Sequence, residues 1–222
     1  ALLFLPFLAL LCLLRRFFKT PNSIAFFHPN CAAGGGGEMV LWQMIQVILD
    51  AFPRYTVTIY AATDSDTATV LNDVHQTFGI DLTEAVHRIR LVRVPATLLR
   101  PELYPFMTLL LQSVGSIVTA VYALVRFTPE FFVDTTGFAF TYPFAKAAGC
   151  RVISYTHYPT ISTDMLQRVR EKRSTYNNDA FISNSTTIST LKLLYGLLFR
   201  LIPATTTRSA SSTAWWVAAR TW

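Results

Sequence analysis

The chain has 222 residues, enough for one sizeable domain with a buried core. Hydrophobic residues make up 52% and charged residues only 14%, against about 25% charged residues in ordinary soluble domains, so the composition indicates deep burial or contact with lipid. The net charge of +6 fits a basic surface, an anionic membrane or a phosphate-bearing ligand. The absence of a Lys/Arg run argues against nucleic acid as a partner.

The cysteine pattern bears on redox compartment and metal binding. Cys12, Cys31 and Cys150 form no CxxC pair, and their number is odd. We therefore expect no disulfide scaffold, no metal site and no cofactor, and a reducing, cytosol-facing location fits best.

The first 20 residues have the character of a membrane anchor. Residues 1–14 are apolar apart from Pro6, and Arg15, Arg16 and Lys19 follow. The run is shorter than the about 20 residues of a membrane span, and because the chain begins at Ala we expect a truncated anchor. The basic residues after the run would place the downstream chain in the cytosol. The alternative is the apolar region of a cleaved signal peptide.

Short apolar runs then alternate with stretches of helical period, which predicts an α/β fold with a Rossmann-like doubly wound parallel sheet. The predicted strands are Ser23 to His28, Tyr55 to Ala62, Arg88 to Val94, Phe131 to Thr136 and Arg151 to His157. The predicted helices are Glu38 to Phe52, Thr67 to Phe78, Tyr104 to Phe127, Phe138 to Ala148, and one that begins at Ser162 or Thr163.

Three of these elements carry more specific expectations. Alternating Arg and apolar residues in the third strand predict either one exposed face or an edge position. The long apolar stretch 104–127 is either a buried core helix or a helix lying partly in the surface of a bilayer. Residues 202–222 are rich in Ser, Thr and Ala, which indicates a disordered tail or the mistranslated end of a gene.

The first motif that could take part in binding or catalysis is HPNCAAGGGGE, residues 28–38, between the first predicted strand and the first predicted helix. Glycines there let backbone N–H groups approach a phosphate at the start of a helix. The candidate residues are Gly34, Gly35, Gly36, Gly37 and Glu38. Neither the dinucleotide GxGxxG spacing nor a P-loop is present, so a flexible structural turn remains an equal alternative. His28 is a ligand contact or, as is more common, a core or capping histidine.

Two further motifs follow later strands. In THYPTISTDM, residues 156–165, His157 ends a predicted strand, and Tyr158 and Thr160 offer hydrogen-bonding groups suited to sugar hydroxyls. The alternative is a helix-capping turn.

In VDTTGFAF, residues 133–140, the candidate binding residues are Asp134, Thr136 and Gly137. Asp134 either faces the crevice or is buried and satisfies a nearby helix end.

Together these motifs resemble one family. The stretches FFHPNCAAGGGGEMVLW, FVDTTGFAFTYPFAKAAGCRV, YTHYPTISTDML and YNNDAF are similar to the N-terminal domain of the α-1,2-mannosyltransferases of asparagine-linked glycosylation, over residues 22–200. The resemblance implies a retaining glycosyltransferase of the GT-B fold at the cytosolic face of the endoplasmic reticulum membrane. Such an enzyme adds two α-1,2-linked mannoses from GDP-mannose to dolichol-pyrophosphate-linked Man3GlcNAc2. Other mannosyltransferases of the pathway are candidate partners.

The resemblance also implies roles and boundaries. Residues 1–20 would be the anchor, 21–201 the acceptor-binding GT-B domain and 202–222 a divergent tail. The glycine loop would approach the donor phosphates, and His157 would lie near the reacting sugar.

Nothing matches the family's C-terminal domain with its nucleotide-sugar pocket, and the pattern is lost near Pro203. We therefore expect the chain to be inactive alone. The alternatives are a non-catalytic, membrane-anchored subunit of a split glycosyltransferase that binds or recruits lipid-linked sugar, and a different cytosolic GT-B enzyme.

Overall fold

The computed structural model describes residues 19–104 and 108–155, and its centre is a five-stranded sheet with every strand pair parallel. The strands are β1 (Ser23–Phe27), β2 (Thr56–Ala61), β3 (Ile89–Arg93), β4 (Phe131–Asp134) and β5 (Arg151–Ser154). Their order across the sheet is β3-β2-β1-β4-β5. The Rossmann-like sheet predicted from the alternating pattern is thus confirmed, and β3 lies at an edge as its exposed arginines indicated.

Helices cover both faces of the sheet. They are α1 (Gly36–Ala51), α2 (Thr67–Phe78), α3 (Thr108–Arg126) and α4 (Tyr142–Ala147). In the described part of the chain, four 3₁₀ segments connect them to strands: Thr83–Arg88, Thr97–Leu99, Pro101–Leu103 and Ala139–Thr141.

Alternate side chains of β1 face the two opposite cores. Ala25 and Phe27 pack with residues of α3 and α4, whereas Phe26 packs with residues of α1 and α2. All three side chains are fully buried. A strand buried on both faces needs a continuous apolar run, which is why SIAFF carries no alternation of polar and apolar residues.

Several predicted boundaries are corrected. Arg88 belongs to a 3₁₀ segment and not to β3, and β4 ends at Asp134, two residues before the predicted end. The predicted helix 138–148 is divided into a 3₁₀ turn and α4, because Pro143 lies in the first turn of α4 and favours a helix start there. The helix ends just before Gly149, whose positive φ of 85° is typical of the residue after a helix C-terminus, as predicted.

Residues 1–18 of the predicted anchor 1–20, the predicted helix beginning at Ser162 or Thr163 and the predicted tail 202–222 lie outside the described residues. Among the helices that are described, none combines the length and apolar character required to cross a bilayer.

Helix α3 approaches the segment after β3 so closely that Gly115 has no room for a side chain. A Cβ at this position would lie 2.5 Å from the carbonyl oxygen of Leu98 and 3.1 Å from the hydroxyl of Tyr104. The Tyr104 hydroxyl donates to that carbonyl at 2.9 Å, so both obstacles are held in place.

We predict that Gly115→Ala destabilises the protein. Alanine favours helix by about 1 kcal/mol, but overpacking against a backbone carbonyl costs roughly 1–3 kcal/mol, so the net loss should be about 1 kcal/mol. Urea denaturation of the whole chain followed by circular dichroism measures the free energy of unfolding. Val118→Ala, at an exposed position of the same helix, is the control and should change it by less than about 0.5 kcal/mol. A stabilised Gly115→Ala protein would contradict the close packing.

Candidate functional site

A cleft of about 650 Å³ opens at the carboxyl edge of the sheet. Strand β1 pairs with β2 on one side and with β4 on the other, so the strand order reverses at β1. Crevices at such reversal points are the usual ligand sites of open α/β sheets. Residues from the ends of β1 and β2, from α1, from segment 97–103 and from the turn after β4 line the cleft, among them His28, Asn30, Glu38, Arg100, Glu102 and Thr136.

His28, directly after β1, connects the two sides of this cleft. Its Nδ1 lies 2.7 Å from the hydroxyl oxygen of Thr135, which directly follows β4. Its Nε2 lies 3.2 Å from a carboxylate oxygen of Glu38 in α1. Burial lowers the pKa of His28 from its ordinary value of 6.5, and Glu38 only partly offsets this effect. The imidazole is therefore neutral at pH 7, with Nε2–H donating to Glu38 and Nδ1 accepting from Thr135.

Glu38 extends this chain of contacts to the glycine turn. Its second carboxylate oxygen accepts the backbone N–H of Gly35 at 2.8 Å, which closes the first turn of α1. A Cβ at Gly35 would lie 2.6 Å from the same oxygen, so a side chain at this position would displace the Glu38 carboxylate from its present place.

The other glycines of the turn differ in what they require. Gly34 has a positive φ of 78°, which favours glycine on conformational grounds. At Gly36 and Gly37 an added Cβ would meet nothing within 4 Å. The fold does not need these two glycines for space, and they leave the backbone at the start of α1 accessible.

Asp134 lies behind the cleft. Its side chain is fully buried, and its oxygens accept from the backbone N–H groups of Thr136 and Gly137 and from the hydroxyls of Thr136 and Tyr142. Burial raises the pKa of its carboxyl, and these donors partly oppose the rise. Of the two alternatives, a carboxylate that faces the crevice and a buried carboxylate that satisfies nearby groups, the structure shows the second. Asp134 holds the turn that brings Thr136 to the cleft.

The buried cysteines carry no activated thiol. Burial raises the pKa of Cys31 to about 11 and that of Cys150 to about 12. The backbone carbonyl of Cys31 accepts the indole N–H of Trp42 at 2.9 Å, so this residue anchors the loop to α1. Within residues 19–104 and 108–155, no three His, Cys, Asp or Glu residues are grouped so that they could hold a metal ion.

Strand β5 ends at the same edge as β1 and β4. Ser154 is paired in register with Asp134, its hydroxyl lies 2.7 Å from that of Tyr142, and the Tyr155 N–H donates to the Asp134 carbonyl at 2.8 Å. His157, Tyr158 and Thr160 lie outside the described residues, and their place in the site stays a prediction.

Sequence reasoning missed Arg100 and Glu102 as cleft residues and Thr135 as the residue that contacts His28. Thr135 stood beside two selected residues in the VDTTG stretch, and its position directly after a predicted parallel strand was the available signal. Arg100 and Glu102 lie at and in the 3₁₀ segment Pro101–Leu103, a stretch without a recognisable motif, so no sequence signal pointed to them.

A parallel α/β domain with a polar cleft at its strand-order reversal defines a Rossmann-like ligand-binding domain. The family model described as ALG11 mannosyltransferase N-terminus matches residues 21–222, and the chain belongs to that family.

Curated relatives carry the name GDP-Man:Man(3)GlcNAc(2)-PP-Dol alpha-1,2-mannosyltransferase. The Xenopus laevis protein is 42% identical over 185 residues, covering 82% of this chain and 38% of the relative. The human protein is 41% identical over 187 residues, covering 83% and 37%, and the Dictyostelium discoideum protein 39% over 182 residues, covering 81% and 36%. The chain thus spans less than two fifths of the length of these relatives. No solved structure gives a significant match.

We predict that His28 makes the stability of the chain depend on pH. The unfolded histidine takes up a proton near pH 6.5, whereas the buried one does so only at lower pH, so the free energy of unfolding should fall as the pH drops from 7.5 towards the lower pKa of the folded state. His28→Gln should flatten this fall in urea titrations repeated across that range. His75→Gln, at an exposed position on α2, should leave the slope unchanged. An unchanged slope in His28→Gln would contradict a neutral, buried His28.

Proposed function

We propose that this chain forms the acceptor-binding half of a retaining α-1,2-mannosyltransferase. The enzyme would transfer mannose from GDP-mannose to dolichol-pyrophosphate-linked Man3GlcNAc2 in the synthesis of the N-glycan precursor. The family match over residues 21–222 is the observation that carries the proposal. The names of the relatives supply the donor and the acceptor.

The chemistry of the cleft supports a ligand that combines phosphate with sugar. Glu38 brings the first turn of α1 to the cleft, and a helix start carries a partial positive charge, although none of the four glycines 34–37 is among the lining residues. Arg100 adds a full charge at the rim. Asn30, Glu102 and Thr136 supply donors and acceptors for hydroxyl groups. Such a set can orient a pyrophosphate-linked sugar without a metal ion of its own.

The donor pocket, in this proposal, belongs to the portion of the relatives that this chain does not match. Transfer requires donor and acceptor to be held in one geometry, and their separation forfeits the advantage of an intramolecular arrangement. The chain alone should therefore not transfer mannose. The proposal places residues 1–20 in the endoplasmic reticulum membrane as an anchor and the remainder at its cytosolic face, in keeping with the basic residues after the apolar run.

We predict that the chain becomes active when the missing portion is supplied. The chain would be joined to the unmatched C-terminal portion of the Xenopus laevis relative and incubated with GDP-mannose and lipid-pyrophosphate-linked Man3GlcNAc2. Chromatography of the released glycans should show products extended by mannose that an α-1,2-mannosidase removes. The chain alone should show none.

Mannose transfer by the chain alone would contradict the proposal that the donor pocket lies in the portion of the relatives that this chain does not match. A folded fusion that binds the lipid-linked acceptor without transfer would instead favour a non-catalytic acceptor-binding subunit. A folded fusion with neither binding nor transfer would remove the proposal.

A second prediction concerns His157 in the active fusion. If His157 lies near the reacting sugar, His157→Ala should lower kcat by about 100-fold or more, as is usual for a positioned polar group in a transition state. His75→Ala, at an exposed position on α2, should stay within about twofold. Equal and small effects of both substitutions would exclude His157 from the site.

A further inference from the structure

Helix α3 presents an exposed apolar stripe. Val114, Val118, Tyr122 and Val125 are 48%, 50%, 41% and 47% exposed. At 100° per residue these four positions fall within an arc of about 80°. No charged residue occurs between Thr108 and Val125.

The stripe is unusual because the opposite face of α3 is also apolar and already buried. Ala120, Ala123 and Leu124 are fully buried against the sheet. A helix that covers a sheet normally turns charged and polar residues towards water on its outer face. A contiguous exposed apolar face of this kind indicates a contact with another apolar phase or molecule.

The C-terminal end of α3 lies where the chain enters the fold. Lys19 forms a bridge with Thr128, and the N–H of Thr20 donates to the Thr128 carbonyl at 3.0 Å. The 18 residues that precede Lys19 begin with the apolar run 1–14 and include Arg15 and Arg16. Lys19, the first described residue after this stretch, therefore lies beside the C-terminal end of α3.

Cations collect at this end of the helix. The guanidinium of Arg126 lies 5.9 Å from the centre of the Tyr122 ring, and that of Arg90 lies 5.8 Å from the centre of the Phe127 ring. The nearby acid, Glu130, accepts the N–H of Asn22 at 3.0 Å and lies 4.0 Å from Arg151. The local excess of charge is positive, which complements anionic headgroups.

We propose that the outer face of α3 lies on the surface of an anionic bilayer. Val114, Val118 and Val125 would enter the boundary between headgroups and acyl chains, Tyr122 would lie at the interface with its hydroxyl towards water, and Arg126 would contact headgroup phosphates. The helix would lie in the plane of the membrane beside the anchoring segment.

This placement has a consequence for the cleft, which rests on the proposed function. The Gln112 amide donates to the Leu99 carbonyl at 2.7 Å, so the first half of α3 is fastened to the segment that lines the cleft. Leu98 and Leu103 of that region are themselves 39% and 50% exposed. A membrane-bound α3 therefore brings the cleft rim to the surface from which a lipid-linked pyrophosphate emerges.

The test uses the whole chain with Cys12→Ser, which leaves the buried Cys31 and Cys150 as the remaining thiols. A cysteine at Val114→Cys carries an environment-sensitive fluorophore, and a matched protein carries it at Val47→Cys, a valine 54% exposed on α1. Phosphatidylcholine vesicles with and without phosphatidylserine are added. The label at position 114 should shift its emission to the blue and be quenched by spin-labelled lipid, whereas the label at 47 should not. Both proteins keep residues 1–18, so anchoring alone cannot produce the difference.

Substitutions in the background labelled at position 114 test the contact itself. Val118→Asp should abolish the shift, and the matched Val47→Asp should leave it intact. Arg126→Ala should weaken binding to vesicles with phosphatidylserine by about fivefold and binding to neutral vesicles less.

Absence of the shift at 114, or equal shifts at 114 and 47, would overturn the proposal. A shift without vesicles that grows with protein concentration would identify a second copy as the occupant. A shift without vesicles at every concentration would identify another part of the chain. Because the vesicles carry no sugar lipid and no donor, these outcomes are independent of mannose transfer.

Discussion

The pairing of β1 with β4 is the constraint on which the site depends. Two strands separated by about a hundred residues lie side by side in register, Phe27 beside Asp134. The residues that follow them, His28 and Thr135, then meet at 2.7 Å across the strand-order reversal. Without this pairing the crevice would have no floor, and the glycine turn would have no fixed relation to the turn after β4.

From this junction a short series of contacts positions the glycine turn. Thr135 contacts His28, His28 contacts Glu38, and Glu38 accepts the N–H of Gly35. A second set of hydrogen bonds holds the turn after β4 on the other side of the cleft. There the buried carboxylate of Asp134 accepts hydrogen bonds from four donors, three in the turn and one on Tyr142. Buried polar groups of this kind are stable only when satisfied, so each wall is rigid before any ligand binds. Preorganisation of this sort lowers the cost of ordering the groups that bind a ligand.

Helix α3 connects the segment that lines the cleft with the outer surface of the domain. Its inner face is part of the core, and its polar residues are turned to backbone carbonyls, as in the bond from Thr119 to the Pro95 carbonyl at 3.1 Å. Its outer face carries the apolar stripe. This helix explains part of the low fraction of charged residues, 14%, because it carries apolar side chains on both its faces. The two interpretations of the long apolar stretch, core helix and bilayer contact, are therefore compatible, since they concern opposite sides of one element.

The sequence by itself determined the class of fold and the family, because strand and helix periods are local properties and the motifs are contiguous. The sequence also predicts that the glycine turn and Asp134 lie at the carboxyl edge of the sheet, since every parallel strand ends at that edge. Only the tertiary structure decided that the carboxylate of Asp134 is hydrogen-bonded within its own turn and to Tyr142. It also decided that Glu38 and Thr135 are the two partners of the His28 imidazole. The physical reason is that hydrogen-bond partners 107 residues apart leave no periodic trace, and burial of a side chain depends on which elements pack over it. The same reason separates the two apolar faces of α3, which a hydropathy pattern cannot distinguish and which only the position of the sheet makes different.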